Sequence, residues 1–509
     1  MFETFSKLRQ ANLATLSGFP RLLTSIGSSG TNLMALLRFA ARTYPSNTAI
    51  VDDKTTLSYE TLYLQTQQLA AGLYLQYQIK AGTKVALLCR NHAALAKTVF
   101  ALSALGAHAY LLNVEMNEDQ FDALLKKHRF DLVIYDLEVW ELLNNSIFDK
   151  TSLLSYHLTF PSIDTLSQET TKASLHYPKG SNGQLVILTG GTTGQFKTAV
   201  RKPSVFNFLN PFFALLNRLD LADFKSVYIA TPIYHGFGLS ALIMSVTLGV
   251  KILLQERFNA NRAVSSMLKH QVEVLIVVPV MLQRFITRDK LDLIYVRCIL
   301  CGGAQLSPSL VQMTLNNYQY NIANLYGTSE AGFSVMATRE ELTYHPNTIG
   351  QAIQGVRLKI VDEQTQELPQ GKVGQLYIKS SWTMNSQDAW IPTGDLGYVD
   401  ANGYYFLCGR SDDMIVSGGE NVYPIELENI LLKHPAVKEV AAIGIADQEF
   451  GQRLKAFVVL NPQQSSTVEE LLAWLKENCA RYQFPKTLEC LEALPRTALG
   501  KVDRKQLRD

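Results

Sequence analysis

The sequence predicts an α/β protein. A large N-terminal domain of layered α/β subdomains ends in a small β-rich lobe, and an α+β domain follows it. Three observations carry this expectation. From Asn32 onward, apolar strand-like runs alternate with stretches of helical spacing, the pattern of largely parallel sheets covered by helices. Near residue 355 the helical spacing stops, and the short runs Val356–Val361 and Gln375–Lys379 read as strands of a smaller lobe. Beyond the polar joint Ser411-Asp-Asp413, roughly 100 residues mix helix and strand patterns. The expected boundaries are 1–31, 32–410 and 411–509.

The first segment stands apart. Phe2, Phe5, Leu8, Leu13, Leu16, Phe19, Leu22 and Leu23 recur at near-helical spacing, with Lys7, Arg9 and Arg21 between them. An amphipathic helix docked on the protein's own body is the expectation, with peripheral membrane contact through residues 1–30 as the alternative. Gly27-Ser-Ser-Gly30 reads as a break. Next come a helix over Leu33–Arg42, a hairpin of Thr48–Asp52 with Thr55–Ser58, and a helix over Tyr59–Tyr74. Lys84–Leu88 reads as a buried strand, Ala93–Leu105 as a helix and Ala107–Leu112 as a further strand. Residues 138–183 are polar and rich in Ser and Thr, and read as a connection. Strands are then expected at Leu185–Leu188, Ser226–Thr231, Lys251–Leu254, Glu273–Pro279 and Val296–Cys301. In the last domain Glu426–Leu432 and Thr467–Asn478 read as helices, the second with a Thr cap and early glutamates. Val437–Ile445 and Leu454–Leu460 read as strands.

Bulk properties exclude several classes. With 47% hydrophobic and 18% charged residues the chain is globular and not disordered. A net charge of +2 gives no reason to expect a nucleic-acid partner. No apolar run approaches the roughly 18 residues of a spanning helix. Phe2–Arg9 lacks a following apolar core, so no secretory leader is expected, and the Gln-Leu-Arg-Asp end is no peroxisomal address. The six cysteines are scattered, and Cys298 and Cys301 read as small buried residues. A reducing cytoplasm fits them. Oligomeric state is not legible.

Chemistry concentrates in a few stretches. After the strand at Leu185–Leu188 come Thr189, Gly190, Gly191, Thr192, Thr193 and Gly194, then Lys197. Glycines bring backbone N–H groups close to a ligand, hydroxyls add donors and lysine adds a mobile cation, a combination suited to polyphosphate. The bland reading is a Gly/Thr surface turn. It is not a Walker A loop, because Phe196 precedes Lys197. Tyr326-Gly327-Thr328-Ser-Glu330 places a carboxylate after a Gly/hydroxyl turn, where it could hold a metal or cap a helix. Asp395 in Thr-Gly-Asp reads alone as a solvated turn residue, His235 as a structural histidine, and Lys501 as part of a basic tail.

Taken together and in this order, these motifs resemble the acyl-adenylating superfamily, which contains the acyl- and aryl-CoA synthetases, the beetle luciferases and the adenylation domains of peptide synthetases. The resemblance runs from about residue 32 to the end. It implies an acyl-CoA synthetase-like fold whose C-terminal domain is mobile. It departs from the family pattern at Phe196 (Pro is usual), Thr198 (Gly is usual) and Ser329 (Thr is usual), and residues 380–389 are shorter than usual. By resemblance, the loop from Thr189 to Lys197 holds the ATP phosphates, Glu330 holds Mg²⁺ and Thr328 lies near the α-phosphate. Gly302, Gly303 and Ala304 pass beside adenine, which stacks on Tyr326, and Asp395 with Arg410 holds the ribose. His235, Phe237 and Gly238 line the acyl pocket, and Lys501 is the lysine of adenylation. Asp412 is the hinge that lets Ser417, Gly418, Gly419 and Glu420 approach pantetheine.

The implied reaction joins a carboxylic acid to AMP with release of pyrophosphate, then transfers the acyl group to CoA. The first step is positioning and charge neutralisation, and needs no general base. A fatty or similar hydrophobic acid is the expected substrate. Alternatives are an aryl or o-succinylbenzoate-type ligase, a carrier-protein loading enzyme, and a non-catalytic relative suggested by Phe196 and Thr198.

Overall fold

The structure, a computed structural model, describes residues 7–8, 13, 15–157, 159–169, 180, 183–190, 196–201, 209–288, 293–382, 389–417, 420–462, 464, 466–497 and 500–508. Its contacts divide into two compact units, Met1–Val277 with Arg288–Leu300, and Val278–Thr287 with Cys301–Asp509. No helix among the described residues is long and apolar enough to cross a membrane.

The first unit holds two sheets. Its strands are β1 (Thr48–Val51), β2 (Thr56–Ser58), β3 (Lys84–Leu88), β4 (His108–Leu111), β5 (Leu132–Tyr135), β6 (Ser152–Leu154), β7 (Gln184–Gly190), β8 (Phe196–Arg201), β9 (Ser226–Ile229), β10 (Lys251–Leu253) and β11 (Val274–Val277). One sheet runs in the order β6-β5-β3-β4-β7-β8, parallel except for the β7–β8 hairpin. In the other, β2-β1-β10-β9-β11, only β2 is antiparallel. The apolar runs are short because these strands are covered on both faces. Between them the helix Ala93–Leu105 is buried along its whole length. It even buries Lys97, whose ammonium is satisfied by Asp164, Ser167 and Gln65 at 2.7–3.1 Å.

Most expected elements of this unit stand within a residue or two of their expected bounds, and two readings change. Residues 138–183 hold the helices Trp140–Asn145 and Ile163–Gln168 and the edge strand β6. Short elements capped by Ser and Thr, such as Ser162 before Ile163, look like a polar loop when only composition is read. Gly27-Ser-Ser-Gly30 does not break the first helix, which runs Gly18–Ser29 and ends on Gly30 at φ 87°. That helix packs on the helix Leu33–Thr43, and Lys7 bonds Asp220 at 2.8 Å. Gly18–Ser29 is thus docked on the protein's own body, although Leu16, Phe19 and Leu23 face outward. Residues 1–6, 9–12 and 14, which include Phe2 and Phe5 of the expected stripe, lie outside the described residues.

The second unit begins with the helix Pro279–Ile286 and with β12 (Cys298–Gly302), whose last residues belong to it. Cys298 and Cys301 are both buried on that strand, three positions apart and hence on opposite faces, so they form no paired site. Burial pushes the Cys298 thiol up to about 12. An antiparallel sheet follows, built from β13 (Asn321–Thr328), β14 (Gly332–Ala337), β15 (Thr348–Ala352), β16 (Val356–Val361), β17 (Gly374–Ser380), β18 (Ile391–Val399) and β19 (Tyr405–Arg410). Its order is β13-β14-β15-β19-β18-β17-β16. The C-terminal part contains β20 (Ile415–Ser417), β21 (Glu420–Val422), β22 (Val437–Asp447), β23 (Gly451–Leu460) and β24 (Thr487–Cys490). Its core includes Leu427 and Leu431 of the helix Pro424–Leu431, Leu471 and Leu475 of the helix Val468–Asn478, and Leu454 of β23. The expected Thr467 cap is present as a capping box with Glu470.

Candidate functional site

Asp395 and Arg410, separated in sequence, are cross-strand partners in the register of β18 and β19. The Asp400 carboxylate closes the connecting turn by accepting from the Asn402 and Tyr404 amides. Arg410 Nη1 then lies 3.3 Å from Asp395 Oδ1 and 3.0 Å from the Thr393 carbonyl. Gly394 makes the approach possible. Its φ is +74°, and a Cβ there would stand 2.7 Å from Arg410 Nη2. The expectation of a solvated turn aspartate fails, because Asp395 is in mid-strand with a side chain only 15% exposed.

Tyr326, on β13, donates its hydroxyl to Asp395 Oδ2 at 2.6 Å. Burial pushes the Asp395 carboxyl up from its ordinary value, and Tyr326, Arg410 and Lys501 pull it back. Lys501 is solvent-accessible yet close enough for Asp395 and Arg410 to act on it. The surrounding protein lowers its ammonium pKa, and Asp395 opposes that. Lys501 therefore lies within electrostatic reach of Asp395 and Arg410, and is not a free basic tail.

Glu330 sits in the turn between β13 and β14, not at a helix start. Thr328 braces that turn by accepting from the Ala331 amide at 3.0 Å. Gly327 carries no side chain where β14 backbone would lie 2.3 Å from a Cβ. Among the described residues Glu330 has no hydrogen-bond or ionic partner in the structure. A half-buried, uncommitted carboxylate suits Mg²⁺, which takes one or two protein oxygens and fills its shell with water and phosphate. Gly302 ends β12, Gly303 follows at φ +78° and Ala304 comes next, so the chain there is free of bulk.

In the other unit, Thr189 and Gly190 end β7, and Lys197 pairs with Thr189 across the β7–β8 hairpin. The departures Phe196 and Thr198 lie on β8, opposite Gly190 and Leu188. Gly191, Thr192, Thr193 and Gly194 lie outside the described residues.

His235 is the N-cap residue of the helix Gly236–Leu248, with Phe237 and Gly238 in the first turn. A Cβ on Gly238 would lie 2.3 Å from the Pro232 carbonyl, so the loop closes tightly on the helix. Burial pushes the neighbouring Tyr234 hydroxyl up to about 12. What fixes this loop is Asn91, which the sequence reading passed over. Buried after β3, Asn91 accepts from the Ile233 amide at 2.7 Å and donates to the Thr231 carbonyl at 2.9 Å. Both segments follow the carboxyl ends of parallel strands, where α/β sheets place their ligands. The signal was available: a polar Asn-His pair directly after an apolar strand.

Beside it, Cys89, His92 and Asp136 form a buried group within metal-ligand distance. His92 Nδ1 accepts from the Leu95 amide and Nε2 bonds Asp136 at 2.8 Å, so the ring has no lone pair left for an ion. Burial opposes ionisation of Asp136, and its bonds to His92, Ser155 and the Arg90 amide outweigh it, holding the carboxyl at about 2.

The joint and the segment beyond it are partly described. Arg410 Nε bonds Asp412 at 3.1 Å. Ser417 and Glu420 face each other across β20 and β21. Gly418 and Gly419 lie outside the described residues.

The AMP-binding enzyme family matches residues 37–386, and its C-terminal domain matches residues 426–501. This chain belongs to the AMP-binding enzymes. Among relatives, the 2-succinylbenzoate–CoA ligase of Bacillus subtilis is 28% identical over 92% of this chain and 96% of its own length. The feruloyl-CoA synthase of an Amycolatopsis species is 28% identical over the same shares. Among solved structures, the Bacillus subtilis o-succinylbenzoate CoA synthetase in complex with its acyl-adenylate aligns at a TM-score of 0.81. It is 26% identical and covers 93% of this chain and 98% of that one. The same enzyme has been solved with ATP and magnesium, at the same TM-score and identity. The resemblance carried by the motifs and the expected acyl-CoA synthetase-like fold are both met.

Proposed function

We propose that this AMP-binding enzyme is an AMP-forming acid–CoA ligase. ATP and a carboxylic acid give an acyl-adenylate and pyrophosphate, and CoA then displaces AMP. The observation that carries the reading is the bonded cluster of Tyr326, Asp395 and Arg410, with Lys501 within electrostatic reach of the last two. Asp395 accepts the vicinal ribose hydroxyls and Arg410 holds its carboxylate in place. Tyr326 and the Gly302–Ala304 segment enclose adenine. Lys501 bridges the acid carboxylate and the α-phosphate, two anions that otherwise repel. Glu330 would hold Mg²⁺, which would supply positive charge to the phosphates; by the family resemblance, Lys197 and the loop from Thr189 to Gly194 would bind phosphate. His235, Phe237 and Gly238 form the wall of the acyl pocket.

The second half-reaction requires Lys501 to withdraw. We assign that motion to residues 411–509 turning about Asp412, with Ser417 to Glu420 brought to the pantetheine chain. A short polar joint such as Ser411-Asp-Asp413 is sufficient for such a turn.

For the acid, relatives named for succinylbenzoate and ferulate favour an aryl carboxylate over the fatty acid expected from sequence. A hydrophobic acid presented at a membrane surface remains the second reading, supported by the outward Leu16, Phe19 and Leu23. The test is acid-dependent ATP–pyrophosphate exchange across aryl, fatty and amino acids, with and without CoA and with a phosphopantetheinyl carrier protein as the other acceptor. Exchange and thioester with aryl acids support the first reading. Exchange confined to long-chain acids, with flotation on lipid vesicles, replaces it with the second. Exchange with no thioester on free CoA assigns the carrier as acceptor.

A further inference from the structure

Lys501 stands on a hairpin whose own bonds are short-range. The Thr497 amide donates to the Lys501 carbonyl and the Gly500 amide to the Thr497 carbonyl, each at 2.8 Å. The Asp503 amide donates to the Pro495 carbonyl, also at 2.8 Å, and Arg496 pairs with Val502. These bonds close the hairpin but do not orient it. Orientation needs a link from the hairpin to a rigid element.

Arg496 supplies that link. Its Nη1 donates to the Gly500 carbonyl at 2.7 Å, the peptide group directly preceding Lys501. Its Nη2 meets Glu439 Oε2 at 2.5 Å. Glu439 belongs to β22, the longest strand of the C-terminal sheet, paired along its length with β23. The two side chains are only 25% and 19% exposed, so the pair is shielded from water that would loosen an open surface bridge. Gly500 (φ +73°) also passes so close to the helix Pro279–Ile286 that a Cβ would stand 2.5 Å from Val280 Cγ1. The residue before Lys501 is thus bonded by a guanidinium and packed close against a valine.

We propose that Arg496, braced by Glu439, is a positioning residue for adenylation: it fixes the peptide before Lys501 so that the ammonium meets the reacting carboxylate and phosphate. The planar guanidinium can hold a carbonyl and a carboxylate at once, which lysine cannot. The role rests on the ligase reading above, and it is specific to the first half-reaction, because Lys501 takes no part in the attack of CoA.

The experiment measures both half-reactions on the full-length protein. Acid-dependent ATP–pyrophosphate exchange reports adenylation, and thioester formation from supplied acyl-AMP reports the second step. R496A should lower kcat for exchange about 100-fold, the scale of an ångström of misplacement, with KM for ATP changed less than about threefold. Thioester formation from acyl-AMP should stay within about twofold of wild type. R496K should recover little, and E439Q should show a smaller loss of the same kind. Unchanged exchange in R496A overturns the proposal, as does an equal loss in both half-reactions, the mark of general structural damage. An unfolding midpoint matching wild type guards the first comparison. Absence of exchange in the wild-type protein with every acid overturns the ligase reading itself, an outcome distinct from an active wild type with an indifferent R496A.

Discussion

Around Asp395, side chains hold side chains: carboxylate, guanidinium, phenol and ammonium set one another's place and charge. Around His235 the holding is done by one neutral amide, Asn91, that grips backbone groups on either side of Pro232. The first arrangement suits a ligand whose charges and hydroxyls never vary. The second suits a wall whose side chains can change while its backbone stays put. On the proposed ligase reading, the first would serve the constant nucleotide and the second the variable acid.

The largest test of this contrast is Lys501→Ala. It should lower exchange by about 10³-fold, as expected for loss of a group that neutralises transition-state charge, and spare thioester formation from acyl-AMP. Equal loss of both steps would show that the effect of Lys501 is not specific to adenylation. Gly394→Ala comes next, because a Cβ at φ +74° meets Arg410. We expect about 1–3 kcal/mol of strain, read as a raised KM for ATP with KM for the acid unchanged. Asn91→Ala should do the converse. It leaves the buried Ile233 amide unmet at about 1–3 kcal/mol, and KM for the acid should rise about tenfold while KM for ATP holds. Parallel rises in both KM values would erase the distinction between the two regions.

The smallest effect concerns stability alone. Asp136 has its pKa depressed from 3.8 to about 2, so it stabilises the fold while ionised. That contribution, about 2 kcal/mol, is present above pH 4 and is lost as pH falls through 2. Asp136→Asn should therefore lower the denaturation midpoint at neutral pH. The gap from wild type should close as pH falls from about 4 towards 2, and a gap independent of pH would show that the carboxylate's charge is not what matters.

Legibility followed the same division. Strands such as Lys84–Leu88 and Val356–Val361 were read to the residue because apolar runs bounded by turn residues leave little choice. Asp395, Arg410 and Lys501 were singled out only by the family resemblance, because Thr-Gly-Asp, Gly-Arg and Gly-Lys read alone as a solvated turn and a basic tail. Residues 138–183 were misread because short capped helices owe their stability to packing, which composition hides. Asn91, Glu439 and Arg496 escaped because each acts through a backbone group or a partner far away in sequence. Nothing local distinguishes them from ordinary polar residues.

The Tyr326 hydroxyl donates to one oxygen of Asp395. A carboxylate offers about four lone-pair sites, so the phenol leaves room for further donors. On the proposed ligase reading, the ribose hydroxyls would join a carboxylate that is already held in place, and its orientation would not have to be set anew at each turnover.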